Sequence, residues 1–297
     1  MGDMSETITE RPPMPTGDAM HLSPLVTRVL APNPSPFTYT GTQSYVVGTD
    51  ELAVIDPGPD EPAHLDALLR AIGGRAVKAI LCTHTHRDHS PAAAPLKAAT
   101  GVTIIGCAPF SLRDDGPRAD ASFDPGYAPD TILSDGDAVT GQGWTLRAVH
   151  TPGHTSNHLC YALEEEGALF TGDHVMGWST SVVSPPDGDM TAYLLSLQKL
   201  MEREDTVYYP AHGEAVERPR RLVRGMIGHR RMREGQILRF LEKNGVSAIP
   251  DMVREMYKGV DPGLYPAAGR SVQAHLIDLD ARDMVRRGED DRWERVA

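Results

Sequence analysis

Long apolar runs are missing from this chain of 297 residues; its apolar stretches fall far short of the roughly 20 residues a membrane-crossing helix needs. Thiols are scarce as well. Cys82, Cys107 and Cys160 cannot complete a disulfide framework and none forms a C-x-x-C, which points to a reducing, cytoplasmic compartment. The first twenty residues lack the apolar segment of a signal peptide, and Glu6 spoils the acylation pattern that Gly2 would open. Positive charge is in deficit: 29 Lys+Arg stand against 41 Asp+Glu, a net −12 that argues against a protein devoted to coating nucleic acid. Aromatic residues make up only 6%, yet 40% hydrophobic and 24% charged residues are ordinary for a globular protein, so wholesale disorder is excluded. There is no G-x-S-x-G, no Walker-type phosphate loop and no H-E-x-x-H, which removes the common serine, nucleotide and single-helix zinc schemes.

At about 150 residues per domain, the length suggests two domains. Charge divides them: Glu217 to Ala297 holds 17 Lys+Arg and 13 Asp+Glu, the preceding residues 12 and 28. The change of sign places a boundary near 215–220, although solvated helix faces of different charge would account for it equally. We expect a flexible tail over 1–24, a first domain over 25–216 and a second over 217–297. Strand-like segments are QSYVVG, ELAVIDPG, VKAILCT, VTIIG, WTLRAVH, LCYALE, ALFTGD and TVYYPA, with helices over Glu61–Ile72, from Pro91 to near Gly101, and over Met190–Arg203. Between Phe110 and Asp137 the chain is rich in Pro, Gly and Asp, as expected of a long functional loop. This alternation predicts a layered α/β architecture with mixed sheets and outer helices. Beyond 217 the spacing predicts helices over Arg220–Lys243, Pro250–Lys258 and Ser271–Arg287, then a short strand over Arg292–Val296.

The chemistry is concentrated in His84-Thr85-His86-Arg87-Asp88-His89, directly after VKAILCT. Three imidazoles and a carboxylate in six residues make poor core filler, because neutral packing would leave ring nitrogens unpaired. With no thiolate set alongside, these ligands suit Zn²⁺, Fe²⁺ or Mn²⁺. Three later segments repeat the arrangement of an apolar run followed by a polar ligand at a Gly- or Pro-bearing turn: His154 after WTLRAV, Asp173 after ALF and His212 after TVYY. If those strands end at one edge of a sandwich, their ligands converge there.

HTHRDH resembles the H-x-H-x-D-H signature of the metallo-β-lactamase superfamily, and His154, Asp173 and His212 match its later ligand motifs in order. The resemblance implies an αβ/βα sandwich in which His84, His86 and His154 hold one zinc, Asp88, His89 and His212 a second, and Asp173 bridges the two; iron or manganese are alternatives. Asp88 would also be the catalytic residue. A hydroxide shared by the metals would attack a phosphodiester such as single-stranded RNA, or a small ester, thioester or lactam. Asp56, in VIDPG, either orients an imidazole or is a turn residue only. His150, His158 and His174 are expected near the site but not on the metals, and His21, His64, His229 and His275 have structural readings only. The region after 217 resembles the winged-helix-like extension of the β-lactamase-like endoribonuclease-type subgroup. Its small core would hold Leu238, Leu241, Val253, Met256, Leu276 and Leu279. Arg282, Arg286 and Arg287 either touch phosphate or form a solvated face, and a homodimer is left open. Two other readings stand beside this one: a winged-helix nucleic-acid binder with a regulatory metal domain, and a mononuclear iron oxygenase of sulfur compounds on the same scaffold.

Overall fold

The structure is a computed structural model and describes residues 15–111 and 123–296. Two sheets face each other. The first has seven strands in chain order: β1 (Ala19–His21), β2 (Val26–Leu30), β3 (Gln43–Val47), β4 (Glu51–Ile55), β5 (Ala76–Cys82), β6 (Ile104–Gly106) and β7 (Thr131–Ile132). It is antiparallel from β1 to β4 and parallel from β4 to β7. The second contains β8 (Ala138–Gly141), β9 (Trp144–His150), β10 (Leu159–Leu163), β11 (Ala168–Gly172) and β12 (Val207–Pro210), in the order β12-β11-β10-β9-β8. Only β11 and β12 are parallel in it.

Alternation along the strands sorts side chains between two cores. On β10, Leu159, Tyr161 and Leu163 belong to the core shared with Phe170 and the first sheet, whereas Cys160 and Ala162 belong to the core on the opposite face. Helix α1 (Pro62–Ile72) covers the first sheet with Leu68 and Ile72; Pro62 suits its first turn, and Gly73, at φ +61°, closes it by donating to Leu69 O. Helix α2 (Ala93–Thr100) adds Leu96 to the same core. The outward face of the second sheet is covered by α3 (Met190–Met201), through Tyr193 and Leu197, and by the first half of α4 (Pro219–Asn244), through Val223 and Met226.

The second half of α4 belongs to a third core. There Ile237 and Leu241 pack with Met252 and Val253 of α5 (Ile249–Met256) and with Val272, Leu276 and Leu279 of α6 (Tyr265–Ala281). A small sheet of β13 (Ser247–Ala248), β14 (Val285–Arg287) and β15 (Arg292–Arg295) closes it with Val285 and Trp293. Leu238 and Met256, expected inside, are only partly buried against it.

Three expectations need correction. The tail ends before residue 19, because Ala19–His21 pairs with β2; three exposed residues carry no hydrophobic pattern that could have announced an edge strand. The third C-terminal helix runs over Tyr265–Ala281 rather than Ser271–Arg287. Pro266 and Gly269 disguise its start, and after Asp283, at φ +56°, Val285–Arg287 pairs with β15 as a strand. Sequence spacing also overlooked β2, whose Val26, Val29 and Leu30 are buried. Residues 112–122 of the expected functional loop lie outside the described residues, as do residues 1–14 of the expected tail. Among the described residues no helix is long and apolar enough to cross a membrane.

Candidate metal centre

Strand direction explains why dispersed ligands meet. β4 and β5 are parallel, and β9, β11 and β12 all run the same way across the second sheet, so their carboxyl ends share an edge of the sandwich. The sheets are stitched there: Leu159 N donates to Thr83 O at 2.8 Å, Tyr161 OH to Cys82 O at 2.7 Å and Tyr45 OH to Pro210 O at 2.6 Å. Gly172, at φ +49°, turns the chain from β11 into Asp173, and a Cβ on it would sit 2.7 Å from both His158 Nε2 and Thr83 Oγ1. Only glycine meets both demands.

All seven side chains predicted from sequence come together, in two donor sets: His84, His86, His154 and Asp173, and Asp88, His89 and His212. Every histidine of the seven is buried. In the first set His86 Nδ1 lies 3.0 Å from His84 Nε2 and 3.1 Å from His154 Nε2. One nitrogen has a single lone pair or proton and cannot satisfy two such neighbours. Nitrogens that share one tetrahedral zinc at about 2.0–2.1 Å sit about 3.3 Å apart, close to this spacing. In the second set Asp88 Oδ2 is 3.3 Å from His89 Nε2 and 3.2 Å from His212 Nε2. Asp173 spans both: its Oδ2 is 3.6 Å from His154 Nε2, and its Oδ1 is 3.2 Å from His212 Nε2 and 3.6 Å from His89 Nε2.

The outward ring nitrogens of His84, His89, His154 and His212 are each held. His84 Nδ1 meets Thr83 Oγ1 at 3.0 Å, His89 Nδ1 meets Asp56 Oδ2 at 3.0 Å, His154 Nδ1 meets Val182 O at 2.6 Å and His212 Nδ1 meets Gly41 O at 3.2 Å. Carbonyl and carboxylate acceptors require Nδ1–H at His89, His154 and His212, which leaves the Nε2 lone pairs for the centre. Asp56 is therefore an orienting residue. It accepts from Thr83 N at 2.7 Å and Thr83 Oγ1 at 2.8 Å and is held at φ +47°.

Burial and the neighbouring imidazoles hold His84 well below the ordinary histidine pKa. Burial also opposes charging His89 and His212, but the Asp88 and Asp173 carboxylates outweigh it; His89 is raised well above the ordinary value and His212 to about 10. In turn those imidazoles keep Asp88 and Asp173 ionised against burial. Protons on His89 and His212 thus stand where a cation would, and Asp88 Oδ1 and Asp173 Oδ1 are buried without a hydrogen bond. Nitrogen and carboxylate donors, no thiolate and unspent carboxylate oxygens fit borderline divalent ions.

Of the other histidines, His158 is buried, stacks on His84 with centroids 5.2 Å apart and meets Thr151 Oγ1 through Nδ1 at 3.0 Å. His174 is buried under the Tyr193 ring, and His150 is exposed. The centre opens into a cavity of about 600 Å³ whose far wall is built by α4, α6 and the segment around Tyr257 to Leu264. His229, read from sequence as structural, lines that wall with Arg230 and Arg233. Only their spacing on one helix could have signalled it.

Fold and site together define a metal-binding α/β-sandwich hydrolase with an appended winged helix. The profile of the metallo-beta-lactamase superfamily matches residues 38–212, and that of the beta-lactamase associated winged helix domain matches 248–293. The chain belongs to the metallo-beta-lactamase superfamily. It is 33% identical over 277 residues to the beta-lactamase-like protein 2 homolog of Drosophila melanogaster, covering 89% of this chain and 91% of that one. With the atrochrysone carboxyl ACP thioesterase AgnL7 of Paecilomyces divaricatus it shares 35% over 239 residues, 78% of this chain and 68% of the relative. The crystal structure of a beta-lactamase domain protein from Burkholderia ambifaria superposes with a TM-score of 0.75 at 21% identity, over 98% and 96% of the two chains.

Proposed function

We propose that the protein is a dinuclear metal-dependent hydrolase of small acyl thioesters, with related esters and lactams as secondary substrates. His84, His86 and His154 would hold one ion and Asp88, His89 and His212 the other, with Asp173 between them. The observation that carries this reading is the span of Asp173, whose two oxygens face two complete donor sets. Two divalent ions, zinc foremost with iron or manganese as alternatives, supply Lewis acidity when bound and lower the pKa of water at the site. Asp88 borders the cavity and its Oδ1 carries no hydrogen bond, so the carboxylate would accept a proton from the attacking water and return it to the leaving thiolate. Thioester and water then give carboxylic acid and thiol. Asp56, Thr83 and the Gly41 and Val182 carbonyls hold the rings in place while this happens.

Two findings favour an acyl carbon over a phosphodiester. One relative is named as an acyl-carrier-protein thioesterase. The centre also opens into a cavity of about 600 Å³ bounded by α4 and α6, and Arg282, Arg286 and Arg287, the arginines considered for RNA phosphate, each lie against a carboxylate of the chain itself. The direct test is a panel of S-acetyl-N-acetylcysteamine, a lactone, nitrocefin, bis-nitrophenyl phosphate and single-stranded RNA; the thioester is expected to turn over fastest. Cleavage of RNA with no acyl hydrolysis would overturn the reading.

The orienting role of Asp56 has its own consequence. Asp56→Ala removes the acceptor for His89 Nδ1 and is expected to weaken metal binding at the Asp88/His89/His212 set by about 10–100-fold. Competition with a chromophoric chelator measures this, and the loss should be confined to one of the two ions. Equal loss of both would mean that Asp56 supports the loop rather than the imidazole.

A further inference from the structure

The far wall of the cavity is basic. Arg230 is only 3% exposed; it donates to Ser181 O and packs over the Tyr193 ring at 5.1 Å, yet its Nε makes no hydrogen bond. Arg233, one helical turn from His229, donates through Nη1 to Gln236 Oε1 at 3.0 Å and Met256 O at 3.3 Å, with its guanidinium 4.4 Å from the Tyr257 ring centroid. Its Nε is also buried without a hydrogen bond, as is His229 Nδ1. The neighbouring carboxylates are committed elsewhere: Glu234 and Asp278 to Arg282 at 2.9 and 2.7 Å, and Glu255 to Lys258 at 2.7 Å. Among the described residues no carboxylate pairs with Arg230 or Arg233.

Guanidinium groups drawn out of water without an anion lose hydration that neutral carbonyls only partly replace. In a chain with 41 acidic residues, one buried and one half-buried arginine facing the same cavity without an acidic partner are a costly arrangement unless something negative enters it. The rest of the lining is largely apolar, with Phe37 and Trp178 joined by Val260 and Leu264 of the wall itself. We propose that Arg233, supported by Arg230 and His229, binds an anionic oxygen group, a carboxylate or a phosphate, on the part of the substrate remote from the bond that is cleaved. The substrate would then combine an apolar body with a charged end. This deepens the thioesterase reading and rests on it for the reaction, but not for the binding of the anion.

Three thioesters separate the sources of the charge: neutral S-acetyl-N-acetylcysteamine, S-succinyl-N-acetylcysteamine with the carboxylate on the acyl side, and S-acetyl-4′-phosphopantetheine with phosphate on the thiol side. In Arg233→Gln, the ratio of kcat/KM for the preferred anionic thioester to that for the neutral one is expected to fall by about 10–100-fold, the loss of a charge-assisted hydrogen bond. A ratio taken within one protein does not depend on how much of the variant folds, and Arg233→Lys should retain part of it. The thioester whose ratio falls identifies the anion, and unchanged ratios for both overturn the proposal. Binding is read separately by calorimetry with 3-phenylpropionate and phenyl phosphate against neutral 3-phenylpropanamide. Arg233→Gln should weaken at least one of the anions by about tenfold or more relative to the amide. If no thioester is hydrolysed but this difference stands, the reaction assignment fails and the anion site survives; if both anions bind the variant as they bind the wild type, the site is refuted.

Discussion

Asp88→Ala is expected to lower kcat for a thioester by about three orders of magnitude, toward the upper part of the range for loss of a positioned general base, with the fold intact. The size of the effect follows from two duties. The Oδ2 oxygen lies within 3.3 Å of both His89 Nε2 and His212 Nε2, where it completes a donor set, and the buried Oδ1 oxygen has no hydrogen bond, in a side chain that borders the cavity. Little else depends on the side chain. Among the described residues its one hydrogen bond from outside the cluster comes from Thr42 Oγ1, at 3.3 Å. When the carboxylate is removed, Asp173 still faces His89 at 3.6 Å and His212 at 3.2 Å, so neither imidazole is stranded as a buried cation without a counter-charge. Circular dichroism should therefore match the wild type. Asp88→Asn, which keeps the size but not the basicity, should be nearly as slow, and activity within tenfold of wild type in either variant would remove Asp88 from the mechanism.

Metal uptake should release protons and depend steeply on pH. The metal-free protein holds a proton on His212 up to about pH 10 and one on His89 beyond the ordinary histidine range. An ion entering that set must displace them, so its apparent affinity should rise with pH, by about tenfold per unit for each proton displaced. From pH 8 down to pH 6 this amounts to about 10²-fold for one proton and about 10⁴-fold for two. The metal-free fold behaves in the opposite sense. A histidine with a raised pKa contributes stability that is fully present below its unfolded value near 6.5 and is lost as pH rises through about 10. The gap in melting temperature between loaded and stripped protein should widen toward alkaline pH. Zinc titration of stripped protein in weakly buffered solution reads the protons directly. Two ions per chain with proton release fit the proposal; a single iron with none would return the chain to the mononuclear oxygenase reading.

The seven side chains at the centre were legible because each follows an apolar strand at a tight turn, a local pattern, and because the HTHRDH spacing is dense in ligands. Their convergence was an inference from parallel strand ends, which the directions of β4, β5, β9, β11 and β12 satisfy. The partners of their outward nitrogens could not be read. Gly41 O and Val182 O are backbone atoms 171 and 28 residues from their histidines, and a carbonyl has no residue-type signal. The far wall was hidden for a related reason: His229 had a structural reading only, nothing in the sequence singles out Arg230 and Arg233, and only the packing of α4 shows that they close a cavity. At the C-terminus, local rules failed where Pro and Gly begin a helix instead of breaking one, at Pro266 and Gly269.

A single unbroken rod of 26 residues, α4, is anchored at one end beneath the second sheet and at the other in the winged-helix core. No hinge of soft chain separates the two units at that junction. The rod holds the wall that carries Arg233 against the sheet that carries the metal ligands, like the jaws of a caliper on one bar, so a substrate that met both, as proposed, would have to match that gap in length.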